Sequence, residues 1–142
     1  MASTVHIGTQ MLGVSALPVS VAAKNPEALF VTVRLDAFTG RVWLAEKVNR
    51  FLGVNPCGYI FIEAEAGLGK TAFAAWLVRT RGYLSHFSRY SGGRSVRVAL
   101  QNLSAQLIIR YGLVDQATGG MLPEWAQTQH HVLKAYRAAM MP

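Results

Sequence analysis

The chain has 142 residues, 51% of them apolar and 15% charged, with 14 basic against 7 acidic side chains and a net charge of +7. That length suits one domain with a sizeable hydrophobic core, and that composition excludes a disordered chain. The lone cysteine, Cys57, excludes an internal disulfide and a multi-cysteine metal site, and it suits a reducing cytoplasmic setting.

Between Met1 and Ala23 there is no Lys, Arg, Asp or Glu. The stretch lacks the basic n-region of a signal peptide, and His6, Thr9, Gln10, Ser15, Pro18 and Ser20 make it too polar for a membrane span. Residues 1–28 are expected to form a poorly ordered N-terminal arm. Leu29-Phe30-Val31-Thr32-Val33 is β-prone and reads as a strand or an extended arm. Phe38-Thr39-Gly40-Arg41 reads as a turn. The spacing of Leu44, Val48, Phe51 and Leu52 then predicts an amphipathic helix, ended by Gly53 and Pro56. Cys57 lies in the turn Asn55-Pro56-Cys57-Gly58 and is expected to be a small buried or half-buried thiol.

Gly58-Tyr59-Ile60-Phe61-Ile62 has almost no polarity, the pattern of a strand buried on both faces of a parallel sheet. A glycine-rich loop follows. Thr71 to Val78 is expected to be helical, with Phe73, Trp76 and Leu77 as its apolar stripe and Arg79 and Arg81 at its negative end. Tyr83 to Phe87 is a second expected strand. Ser95 is a candidate N-cap for a helix whose stripe runs through Val96, Leu100, Leu103, Leu107 and Tyr111 and which Gly112 stops. After Gly119 and Gly120, Pro123 opens a last expected helix carrying Trp125, Val132, Leu133, Tyr136 and Met140. Strands alternating with helices predict an α/β fold, a P-loop NTPase-type parallel sheet with flanking helices. Only two or three strands are visible, so the sheet is expected to be incomplete, with residues 29–142 as a partial nucleotide-binding domain.

The chemistry is concentrated in Ala64-Glu65-Ala66-Gly67-Leu68-Gly69-Lys70-Thr71, a variant of the phosphate-binding pattern G-x-x-x-x-G-K-[ST] with Ala64 at the first glycine position. Gly67 and Gly69 allow torsions barred to other residues and let the main chain approach a phosphate. The backbone N–H groups of Ala66, Gly67, Leu68 and Gly69, with those of Lys70, Thr71 and Ala72 at the helix start, form an expected anion nest. Lys70 is the candidate catalytic cation for the β- and γ-phosphates, and the Thr71 hydroxyl is the candidate Mg²⁺ ligand. A β-prone run before the loop and an amphipathic run after it supply the context the motif needs. The expected ligand is ATP with Mg²⁺.

Around this motif the chain resembles the N-terminal part of a STAND-class P-loop NTPase, the NACHT-like and AAA-like signalling ATPases. Three blocks carry the resemblance: Phe38-Thr39-Gly40-Arg41 before a helix, like an F-x-G-R box; Ile60 to Ala72; and His86-Phe87 with the helix from Val98 to Tyr111. The resemblance implies a nucleotide-controlled switch and nominates Phe38, Gly40 and Arg41 as secondary nucleotide contacts. The class also has a Walker B strand ending in Asp, and neither Asp115 nor Glu124 follows such a strand. Hydrolysis by this chain alone is therefore not expected.

Two other function classes fit parts of the sequence. A small P-loop kinase would need an acceptor pocket, to which Arg94 and Arg97 could contribute. A non-catalytic interaction fragment with a vestigial P-loop would bind protein partners or itself. Basic residues are dispersed along the chain, so nucleic acid is not the expected partner. His130 and His131 are neighbours that cannot face one metal from a helix, His86 reads as a half-buried, hydrogen-bonded histidine, and Glu63 and Glu65 read as solvated loop residues.

Overall fold

A computed structural model describes residues 17–113, 118–123 and 126. Five α-helices organise them: α1 (Val19–Ala22), α2 (Glu27–Thr32), α3 (Val42–Val54), α4 (Lys70–Arg81) and α5 (Val96–Tyr111). Short 3-10 turns span Leu35–Ala37 and Thr118–Gly120. The chain divides into two compact units, one of residues Asn25–Ser85 and one of Met1–Lys24 with His86–Pro142.

In the Asn25–Ser85 unit, Pro26 precedes the first turn of α2, and Asn25 Oδ1 accepts from the Glu27 N–H at 3.0 Å. Its buried residues are Leu29 and Phe30. α3 and α4 share a core in which Ala45, Val48 and Phe73 are buried and Phe38, Leu44, Ile62, Trp76 and Leu77 pack around them. Phe73 and Trp76 stack with ring centroids 6.0 Å apart, and Phe38 lies 6.1 Å from Trp76. At the far end of α4, Arg79 Nη1 meets Asp36 Oδ1 at 2.6 Å, and Arg81 Nη2 donates to Asn49 Oδ1 at 2.8 Å. The Asp36 carboxylate holds Arg79 above its ordinary pKa, but the pair is solvent-exposed and adds little to stability.

In the other unit, α1 packs on α5. Val19, Ala22, Ala105, Ile108, Leu122 and Ala126 form its core, with Leu17, Ala23 and Leu113 against it. The Leu122 N–H donates to Leu17 O at 2.7 Å, closing the two chain segments on each other. Polar groups share this interior: Asn102 is fully buried, and its Oδ1 accepts from the Lys24 N–H at 2.8 Å and from Gln106 Nε2 at 2.7 Å. Gly112, left-handed at φ 63°, ends α5 as expected from the sequence.

The parallel sheet expected from the sequence is not there. Among the described residues no strand occurs, and β-type pairing is confined to an isolated antiparallel bridge between Pro18 and Met121. Leu29 to Val33, read as β-prone, falls largely within the helix α2. Gly58 to Ile62 and Tyr83 to Phe87 take neither helix nor ladder. β-propensity reports how well a residue suits a pleated, half-buried surface, and it supplies no neighbouring strand. Tyr59 and Phe61 are 87% and 84% exposed rather than buried on two faces, and Ile62 alone of that run packs against the α3–α4 core.

The apolar stripe assigned to α5 also needs correction. Val96 and Tyr111 are exposed, Leu100, Leu103 and Leu107 are half-buried, and the fully buried positions are Asn102, Ser104, Ala105 and Ile108. Close approach of α1 favours small side chains on that face. Cys57 is exposed, not buried. Apart from Pro123 and Ala126, the residues of the expected last helix lie outside the described residues, as do Asp115, Glu124, His130 and His131.

Candidate functional site

The loop from Ala64 to Gly69 joins the irregular stretch after α3 to the first turn of α4. Gly67 and Gly69 sit at φ 84° and 76°, in the left-handed region that only glycine enters without cost. Gly69 is the N-cap of α4, and its carbonyl accepts the first helical bond, from the Phe73 N–H at 2.9 Å. The amides of Lys70, Thr71 and Ala72 precede that bond and lie in the helix's first turn, where no intrahelical acceptor exists. Two features of the motif, the left-handed glycines and the helix N-terminus, are thus present without a sheet behind them.

Two cations lie on this loop. Lys70 Nζ donates to Glu65 O at 2.7 Å and also to Ala64 O. Arg41 Nη2 donates to Leu68 O, and a methyl group on Gly69 would lie 3.5 Å from that nitrogen. Arg41 comes from the N-cap of α3, where it is itself left-handed at φ 57°, next to Gly40 at φ 87°. Both cations bond carbonyl oxygens, which solvate charge without neutralising it. Among the described residues the one salt bridge is Arg79–Asp36, on a different part of α4. Glu63 and Glu65 are exposed.

The structure therefore brings together Ala66, Gly67, Leu68, Gly69, Lys70, Thr71, Ala72 and Arg41, from two places 27 residues apart in the chain at the Arg41–Leu68 bond. Phe38, also nominated by resemblance, packs against the α3–α4 core beside Phe73 and Trp76. Among the described residues no group of three or more His, Cys, Asp and Glu side chains could hold a metal ion. A Mg²⁺ ion would need the Thr71 hydroxyl and oxygens brought by its ligand.

A separate depression of about 370 Å³ opens at the start of α5, lined by Ser88, Tyr90, Gly92, Gly93, Arg94 and Ser95. It contains Arg94 but no carboxylate, so it lacks the acid that a phosphoryl-acceptor pocket would use as a base. His86 is half-buried and hydrogen-bonded, as read from the sequence, to Gly93 O and to Asn102. No helix among the described residues is long and apolar enough to cross a membrane. Comparisons with models of protein families, with curated proteins and with solved structures found no match.

Proposed function

We propose that the chain binds a nucleoside triphosphate, ATP with Mg²⁺, at the loop from Ala64 to Gly69 and the start of α4. The observation that carries this reading is the meeting of two cations, Lys70 and Arg41, on a loop with two left-handed glycines that feeds a helix N-terminus. Phosphate oxygens offer Lys70 what carbonyls do not, a formal negative charge, while Arg41 adds positive potential to the same loop. Lys70 exchanges Glu65 O and Ala64 O for the β- and γ-phosphates. Amides of Gly67, Leu68, Gly69 and the first turn of α4 hold the remaining oxygens, and the Thr71 hydroxyl supports the metal ion. Hydrolysis is not part of the proposal, since neither Asp115 nor Glu124 follows an apolar strand of Walker B type in the sequence. A cytoplasmic, nucleotide-controlled switch of STAND type is the role the three sequence blocks support, now without the parallel sheet.

Thermal unfolding with and without Mg²⁺-ATP, on wild type and on Lys70→Ala, tests this. Ligand at 100 times its dissociation constant adds about 2.7 kcal/mol to native stability. That corresponds to a rise of several degrees in midpoint for wild type and to little or none for Lys70→Ala. Equal midpoints with and without ligand in wild type would remove the reading.

A second reading is favoured by one observation. Tyr59 and Phe61 stand in solvent with ring centroids 6.5 Å apart, five residues or fewer before the loop. An interaction module that uses this aromatic pair and binds no nucleotide would leave the thermal midpoint indifferent to ATP.

A further inference from the structure

We propose that Arg41 is a positioning residue that aims the Gly69 amide at a bound phosphate from behind the loop, without touching the ligand. The inference rests on the nucleotide reading above and assigns Arg41 a different role from direct contact.

The argument is one of peptide geometry. A trans peptide unit is planar, and its C=O and N–H point in opposite directions. Leu68 O and the Gly69 N–H belong to the same unit. Arg41 Nη2 donates to Leu68 O, so the Gly69 N–H is directed away from the guanidinium. The guanidinium carbon and Nη2 lie 4.0 and 3.5 Å from the position a Gly69 Cβ would take, which puts the group against this peptide unit. Gly69 is also the N-cap of α4, so its amide borders the first-turn amides of Lys70 and Thr71. Fixing that peptide plane therefore fixes one donor of the anion nest.

The backbone of Arg41 shows what this placement costs. Arg41 and Arg34 are the two non-glycine residues with positive φ among those described. Arg41 holds its left-handed conformation while its carbonyl accepts from the Leu44 and Ala45 N–H groups at 3.0 and 3.1 Å to start α3. Glycine would start the same helix with less strain. An arginine there destabilises the start of α3 and places a guanidinium on Leu68 O. Residues kept in such regions cluster where a side chain must be aimed.

The test compares wild type, Arg41→Gly and Arg41→Lys, using Mg²⁺-ATP as the probe. Binding is followed by the amide resonances of Gly69, Lys70 and Thr71 in the intact chain, and folding by thermal unfolding without ligand. Arg41→Gly is expected to keep or raise the unliganded midpoint. It is expected to weaken ATP binding about tenfold or more, the worth of one charge-assisted hydrogen bond. At saturating ATP its Gly69 amide should fail to reach the wild-type shift, while Lys70 and Thr71 do so. Arg41→Lys, which keeps a donor for Leu68 O, should recover part of both effects. A saturated Gly69 shift equal to wild type in Arg41→Gly overturns the inference, whether or not affinity falls. Absence of any ATP response in wild type removes the nucleotide reading, and with it this role for Arg41, before the variants are compared.

Discussion

Asn102 and His86 hold each other through one hydrogen bond that fixes the histidine tautomer. Asn102 Nδ2 lies 3.1 Å from His86 Nδ1, and His86 Nε2 lies 2.7 Å from Gly93 O. A carbonyl only accepts, so Nε2 carries the proton and Nδ1 receives the bond from Asn102. Asn102 Oδ1 in turn accepts from the Lys24 N–H and from Gln106 Nε2. This one buried amide thereby ties the chain after α1, two positions of α5 and the segment that leads into α5.

Asn102→Ala is expected to destabilise the protein by about 1–3 kcal/mol, because the half-buried Lys24, Gln106 and His86 each lose a bond to this buried amide. Urea unfolding should show a lower midpoint with an unchanged slope. A loss under 0.5 kcal/mol, the size of an ordinary surface substitution, would mean that the network holds nothing in place.

Gly93 is required for space. A Cβ there would lie 2.6 Å from Phe87 O and 2.8 Å from Tyr90 O, both backbone atoms that no rotamer change can move. Gly93→Ala should cost about 1–3 kcal/mol through the backbone shift it forces. Gly92→Ala offers a contrast with a different cause. Its added methyl would meet only Val98 Cγ2, at 3.4 Å, so its cost is set by φ 67°. Circular dichroism melts of the two variants separate steric from torsional loss, and equal stability of Gly93→Ala and wild type would rule out the steric argument.

Cys57 follows Pro56 in an exposed turn. A disulfide reagent such as Ellman's should titrate it fully in native buffer. A thiol that reacts only after urea is added would restore the buried placement read from the sequence.

What the sequence made legible is what local rules govern. The helices α3, α4 and α5 lie where periodicity, Ser95 and Gly112 set them, although α3 runs through Gly53 to Val54, and the left-handed glycines of the loop could be foreseen from the motif. Position is not capping, however: Ser95 occupies the N-cap of α5 without a side-chain hydrogen bond to the helix. The sheet failed because Tyr59, Ile60 and Phe61 look alike in sequence whether or not a neighbouring strand exists. The buried face of α5 failed because small and polar residues such as Ala105, Ser104 and Asn102 carry little weight in a hydrophobic pattern, yet a helix packed close by selects them. Arg41 was nominated through resemblance, and no spacing rule linked it to Leu68. Its reach depends on a left-handed N-cap that sequence does not display.

The stretch between α3 and α4, from Asn55 to Gly69, carries no helix or ladder and exposes Tyr59 and Phe61. A protease with an aromatic specificity pocket needs a segment that it can draw into its cleft with little unfolding, and here Ile62 alone of the run from Gly58 to Ile62 has to leave the α3–α4 core. A cut after either ring would leave α3 and α4 joined by the packing of Ala45, Val48 and Phe73 and by the Arg41–Leu68 and Arg81–Asn49 bonds. The loop from Ala64 to Gly69 would then survive as part of a nicked, two-piece unit, its geometry held by side chains instead of by the chain that now leads into it.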